Sequence, residues 1–302
     1  MSAGDANPLL IIIGGPTASG KTSLSIELAL EFNTEIISAD SRQCYQELTI
    51  GTAKPSPEDR SLVTHHFVDS HSIHEKFNAG LFAEQAYFLL EQLFSSKKVV
   101  IASGGTGLYL NALTGSLDRL PPVPSSIREM ASTLYRTGGL AGLCDYVKMH
   151  DPEHYINVDL NNPARLIRAV EVMMSSGRPY SSFLGKQKPK PPWNVMCFAV
   201  CMDRQELYRR INQRVDHMME QGLEAEVRSL IPYREHQALQ TVGYRELFDY
   251  FDGRTGLREA VDSIKQHTRN FAKRQMTWFR NQGNYQLLSA GEIKETVLKL
   301  KS

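Results

Sequence analysis

Near its start the chain sets the apolar run Leu9 to Ile13 directly before a glycine-rich stretch. A short β-branched run of this kind predicts a strand buried on both faces of a parallel sheet. From Lys21 to Phe32, residues Leu24 and Leu28, with neighbouring Ile26, Ala29 and Leu30, fall at helical spacing. Glu35 to Ser38 and Val99 to Ala102 repeat the strand pattern, and strands alternating with helices predict a doubly wound α/β core. Between 119 and 190 the pattern changes. Pro121, Pro122 and Pro124 open this region and the run from Lys186 to Pro192 closes it. Inside it Ser126 to Arg136 and Arg165 to Met174 have helical periodicity, with no alternating strand. The pattern predicts an all-helical subdomain at 119–190, inserted into a core built from 1–118 and 191–302. The core resumes with a strand at Val195 to Val200 and helices at Arg204 to Gln221, Leu223 to Leu230 and Ile264 to Arg280.

Charge and cysteine usage narrow the picture little. Lys and Arg total 34 against 33 Asp and Glu, so no global positive field points to nucleic acid and any basic surface must be local. Cys44, Cys144, Cys197 and Cys201 are scattered, unlike a secreted disulfide framework, and read as reduced thiols. Cys197 and Cys201 read as packed strand residues, half of a zinc ligand set being absent. Leu9 to Ile13 is too short to span a membrane. A cytoplasmic protein that does not engage membranes is expected.

Gly15-Pro-Thr-Ala-Ser-Gly20-Lys21-Thr22 fits G-x-x-x-x-G-K-[ST] between a strand and a helix, the setting the motif requires. Backbone N–H groups from Gly15 through Gly20, including those of Thr17, Ala18 and Ser19, can curl around a phosphate. Lys21 adds a point charge, and Thr22 offers a hydroxyl to Mg²⁺ at the positive end of the helix. The expected fold is therefore α/β, a P-loop NTPase-like doubly wound parallel sheet with an inserted helical subdomain. The motif alone does not say which bond breaks: kinases, NTPases and transferases with a diphosphate leaving group all need such a cradle.

Further candidates follow the next strands. Asp40, Ser41, Arg42 and Gln43 emerge where ligands bind in open α/β sheets. Asp40 is equally readable as a proton acceptor or as a cap or loop residue. Ser103 to Gly107 is a second glycine turn in which Thr106 could donate to a phosphate oxygen, or simply turn the chain. From Ile264 to Gln282, Lys265, Arg269, Lys273, Arg274 and Arg280 interleave with Trp278 and Phe279, as RNA contacts or as a solvated helix with a packed aromatic edge. Arg165, Arg168, Arg178, Lys186, Lys188 and Lys190 form another basic stretch. Histidines 65, 66, 71 and 74 read as ordinary hydrogen-bonding residues.

GPTASGKT, ADSRQCYQELTIGTAKP and GGTGLYLNAL, in this order, resemble the tRNA dimethylallyltransferase family, also called tRNA isopentenyltransferases. The resemblance continues through His65-His66-Phe67, Asp151-Pro152, Arg165 to Glu171, Gln240 to Arg245 and Thr268 to Gln275, and covers nearly the whole chain. It implies transfer of a dimethylallyl group from dimethylallyl diphosphate to N6 of an adenosine beside the anticodon, with Mg²⁺ as cofactor. It implies that Thr17 to Thr22 hold the diphosphate, that Asp40 is the general base, and that Thr106, with Lys21 and Arg214, supports the leaving group. It further implies that Asp40 to Gln43 and Thr106 meet the extruded adenine, and that Arg128 and Ala164, Arg165, Leu166, Ile167 and Arg168 touch the tRNA anticodon stem-loop. Ala164 stands where the family commonly has Gln, which puts one hydrogen bond to the loop in question. A monomer is expected. The competing readings are a small-nucleotide kinase or adenylate prenyltransferase, and a non-catalytic RNA-binding P-loop module.

Overall fold

The computed structural model describes residues 7–185 and 191–301. Its residues divide into two compact units, one formed by Met1–Gly115 with Lys190–Ser302 and the other by Ser116–Pro189.

The first unit opens with β1 (Leu9–Gly14), α1 (Lys21–Glu31), β2 (Ile36–Ser38), α2 (Pro57–Leu62), β3 (His65–His66), α3 (Ala79–Phe94), β4 (Val99–Gly104) and α4 (Gly107–Leu113). The strands and α1 follow the hydrophobic runs closely. After the second unit, described below, come β5 (Asn194–Val200), α8 (Arg204–Glu220), α9 (Leu223–Ser229), α10 (Tyr244–Phe251), α11 (Leu257–Asn281), β6 (Tyr285–Leu288) and α12 (Ala290–Leu298). The strands form one 6-stranded sheet in the order β3-β2-β4-β1-β5-β6. Every pairing is parallel.

β1 shows why continuous apolar runs are needed. Leu10 and Ile12 pack with Phe82, Tyr109 and Phe279 on one face, while Ile11 and Ile13 pack with Leu24, Leu28, Ile293 and Val297 on the other. Both faces are covered, so alternation with polar residues would bury unpaired groups. A separate apolar cluster joins Val215, Leu223, Val227, Leu247 and Ile264, from the helices after β5, to Cys44, Tyr45 and Leu48.

The second unit holds α5 (Ser125–His150), α6 (Pro152–Asn157) and α7 (Pro163–Ser176). α5 runs past Arg136 and contains Gly139 at φ 60°, ψ −155°, a break inside the helix. Asn162 caps α7 by accepting from the Arg165 N–H, and Pro163 fits the first helical turn because its missing N–H would lack a partner there anyway. Leu143, Val147, Leu166, Ala169 and Val170 form this unit's own core. Asp151 caps α6 and accepts from the Ser181 N–H at 2.6 Å and the Ser181 hydroxyl at 2.9 Å. Those hydrogen bonds outweigh burial and hold its carboxyl below the usual range. The Lys186 to Lys190 part of the closing run, with Lys186, Lys188 and Lys190, lies outside the described residues.

Candidate active site

The carboxyl ends of β2, β4 and β1 are adjacent in the sheet, so the segments that follow them meet in one crevice, the usual ligand position in such sheets. Beyond β1 the chain curls through Gly15, at φ +144°, and Gly20, at φ +89°, backbone states open chiefly to glycine. Ala18 also takes a positive φ of 63°, a strained conformation costing about 1–3 kcal/mol that the surrounding structure must hold in place. Thr17, Ala18, Gly20, Lys21 and Thr22 thereby line a cavity of ≈ 260 Å³ together with Asp40, Ser41, Arg42, Gln43 and Thr106. Gly15 and Ser19 shape the loop from behind, Ser19 being buried.

Helices from the later half of the chain lock this loop. Arg214 on α8 donates from Nη1 to Thr17 Oγ1 at 3.1 Å. Gln275 on α11 accepts from the Thr17 N–H at 3.0 Å and donates to the Gly105 carbonyl at 2.9 Å. Lys21 Nζ donates to the Pro16 carbonyl at 2.6 Å. Burial, reinforced by the Arg214 guanidinium, pulls the Lys21 ammonium from its ordinary 10.5 down to about 7, against the opposing pull of the Asp40 carboxylate. Burial also lowers Arg214. Two cations drawn together in one half-buried pocket call for an anion, which would favour the charged form of both.

Asp40 follows β2 in a tight turn, with Oδ1 accepting from the Arg42 N–H at 2.9 Å and the Gln43 N–H at 3.3 Å. It is thus both a loop-forming residue and a cavity-lining carboxylate. Its Oδ2 has no hydrogen-bond partner among the described residues and is available to a ligand. Thr106 Oγ1 accepts from the Ser41 N–H at 3.1 Å, tying the segments after β2 and β4 together. Gln43 donates both amide hydrogens inward, to the Thr52 carbonyl at 3.2 Å and the Ala53 carbonyl at 3.0 Å, and accepts from the Ser38 hydroxyl at 3.2 Å. Its side chain therefore anchors a neighbouring loop, which leaves it no free N–H for a base. Burial, with the nearby Asp40 charge, pushes the Cys44 thiol up to about 12.

Val215, Met218, Leu223, Ile264 and Phe271 give the cavity an apolar wall that no motif in the sequence announces. Gln275 also went unassigned. The signal was present: Ile264, Ala272, Gln275 and Phe279 are all buried on α11, so a glutamine sits in an apolar stripe. On the same helix Phe279 is 1% exposed and packs edge-on against Trp278 and Tyr285. Of the two readings of this run, the packed aromatic edge holds for Phe279, which cannot stack on a base.

The remaining predicted contacts lie in the helical unit. Arg128, Ala164 and Arg165 are exposed, and Ile167 is half-buried. Leu166 is fully buried in that unit's core, so its side chain supports α7 and offers no surface to RNA. Arg168 pairs with Glu171 at 3.1 Å. The histidines each have a partner: His65 with the Val63 carbonyl, His66 with Glu35, His71 with Ser70 and His74 with His236. Among the described residues no group of three or more His, Cys, Asp or Glu is placed to hold a metal ion.

Residues 43–282 match the IPP transferase family. The chain belongs to that family. The tRNA dimethylallyltransferase of Cytophaga hutchinsonii is 45% identical over 289 residues, 96% of this chain and 95% of the relative. That of Christiangramia forsetii is 47% identical over 271 residues, 90% of each. Among solved structures, the full-length tRNA isopentenylpyrophosphate transferase of Bacillus halodurans matches at a TM-score of 0.71 with 34% identity, covering 97% of this chain and 95% of that one. A eukaryotic dimethylallyltransferase captured acting on tRNA has a TM-score of 0.80 at 24% identity, covering 94% of this chain and 74% of that one. At that identity it bears on the fold alone. The α/β fold expected from the glycine motif is thus present. No helix among the described residues is long and apolar enough to cross a membrane.

Proposed function

We propose that this chain transfers a dimethylallyl group from dimethylallyl diphosphate to N6 of the adenosine beside the anticodon of tRNA, releasing diphosphate. One observation carries the reading: a single cavity joins a cationic loop, an apolar wall and a carboxylate with a free oxygen. A phosphoryl-transfer site needs the first, whereas a prenyl diphosphate needs the first two together, and an amine acceptor calls for the third. The high identity to the bacterial relatives over nearly the whole chain supports the same reaction.

In this reaction the adenine N6 attacks the allylic carbon C1 as the C1–O bond breaks, and diphosphate leaves with the bonding electron pair. Asp40 takes the proton released from N6. The loop N–H groups beyond Thr17, whose own N–H goes to Gln275, hold the diphosphate with Lys21 and Arg214, and Thr106 supports its bridging oxygen. Positioning and leaving-group stabilisation supply most of the acceleration. The Thr22 hydroxyl, cavity-lining and without a hydrogen-bond partner among the described residues, would offer an oxygen ligand to Mg²⁺. The metal would neutralise charge building on the leaving group. Extruding the adenine costs a few kcal/mol, which contacts from Ser41 and Arg42, and from Arg128, Ala164, Arg165 and Arg168 to the stem-loop, would offset. On this reading the protein works as a monomer in the cytoplasm.

Incubating the protein with unmodified tRNA, dimethylallyl diphosphate and Mg²⁺ should raise the mass of one anticodon-loop adenosine by one dimethylallyl unit. Unchanged tRNA alongside phosphate transfer from labelled ATP to a nucleotide would replace this reading with a kinase.

A further inference from the structure

One face of α11 is seated on glycines. A Cβ added to Gly14 would lie 2.4 Å from Phe279, one on Gly105 2.2 Å from Gln275 Nε2, and one on Gly107 2.4 Å from Trp278. Positions 275, 278 and 279 share a helix face, and the glycines they meet end β1 or lie in the loop and helix start after β4. Two of these contacts are apolar. The third is a carboxamide, buried at 8% exposure, with its oxygen on the Thr17 N–H and its nitrogen on the Gly105 carbonyl. Its two partners lie 258 and 170 residues away in sequence. The added Cβ on Gly105 would also come within 3.3 Å of the Gly15 carbonyl, so the two loops have no slack between them.

We propose that Gln275 is a positioning residue for the transfer: its carboxamide spans the loop that grips the diphosphate and the loop that carries Thr106, and so fixes their separation around the reacting carbon. The role rests on the prenyl-transfer reading. A glutamine suits it because an acceptor and a donor are needed side by side at the end of a two-methylene reach. Leucine would fill similar space with neither. An ionised glutamate would set an acceptor against the Gly105 carbonyl, whereas a protonated one would restore the donor and acceptor in the same places. Thr17 is held from two helices at once, since Arg214 takes its hydroxyl and Gln275 its N–H. Losing the second tether frees the backbone while leaving the guanidinium in place.

The test compares Q275L and Q275E with the wild type at saturating tRNA and dimethylallyl diphosphate. Q275L should lose about 10- to 100-fold in kcat, the scale of a misplacement near 1 Å, with thermal midpoint and tRNA affinity close to wild type. Q275E should regain activity over Q275L as pH falls. The wild type run over the same range corrects for Lys21, Asp40, Arg214 and His65, which line the same cavity. Wild-type kcat in Q275L, a loss that only tracks unfolding, or Q275E no better than Q275L at every pH would overturn the proposal. Should Q275L fail to fold, G105A attacks the same contact from the opposite side and is expected to lower kcat likewise; full activity in G105A overturns it. If the wild type itself does not prenylate tRNA, the functional reading fails first. Inorganic diphosphate binding then judges Gln275: a fall of about tenfold in Q275L supports the tether, and unchanged binding refutes it.

Discussion

In the α/β unit the polar groups that matter are held before any ligand arrives. Asp40 Oδ1 is fixed by two backbone N–H groups, and Thr17 by Arg214 and Gln275. In the helical unit, Arg128, Ala164 and Arg165 stand in solvent, and Arg168 has one ion pair with Glu171. The first arrangement suits chemistry, where geometry must be set in advance. The second suits a long charged partner, to which exposed side chains adapt at the cost of ordering them. Substitutions in the two units should therefore separate rate from affinity.

The sharpest separation is expected from Asp40→Asn, which should lower kcat by about 10²- to 10⁴-fold, the usual share of a general base, while tRNA affinity stays near wild type. Single-turnover kinetics beside tRNA titration checks it, and affinity falling in step with rate would erase the distinction between the units. Next comes Leu166→Ala, which opens a cavity in the helical core and should cost about 2–5 kcal/mol of that unit's stability. Hydrogen exchange should rise in α5 and α7, tRNA binding should weaken, and inorganic diphosphate binding should not change.

A smaller effect follows from Lys21. Bound diphosphate adds negative charge and raises its pKa, so above pH 7 binding takes up a proton and weakens by up to about tenfold per pH unit. Calorimetry in buffers of different ionisation enthalpy should detect that proton in the wild type and not in K21M. The same depression makes the unfolded chain bind the extra proton between about 7 and 10.5, so this residue's contribution to stability becomes less favourable as pH falls through that window. The smallest change is expected from Arg165→Ala: affinity weakens modestly, the slope of log K against log salt drops by about one, and kcat at saturation is unchanged.

Much of this was legible where function depends on neighbours in sequence. The glycine spacing from Gly15 to Thr22 announced the tight loop between β1 and α1, and Asp40 and Thr106 could be placed because each follows a readable strand. The two-residue strand His65–His66 was not legible, because it exists only by pairing with β2. β6 was missed too: a four-residue strand at the sheet's edge carries little periodicity. Helical periodicity is legible only over Ser126 to Arg136, yet past the break at Gly139 the helical path resumes to His150. Gln43 looked like a recognition residue by its company, whereas its amide is spent on Thr52 and Ala53. Gln275 stands out as a polar residue in the apolar stripe of α11, but its partners Thr17 and Gly105 depend on how that helix docks, which no local pattern reports.

The Cys44 thiol, so strongly disposed to keep its proton, has a consequence for selectivity. Allylic diphosphates are electrophiles, and a sulfur anion within reach would capture the five-carbon unit irreversibly. Buried and neutral, this thiol is a poor nucleophile. On the prenyl-transfer reading, a thiol fully buried and outside the cavity lining does not compete with N6 for the five-carbon unit.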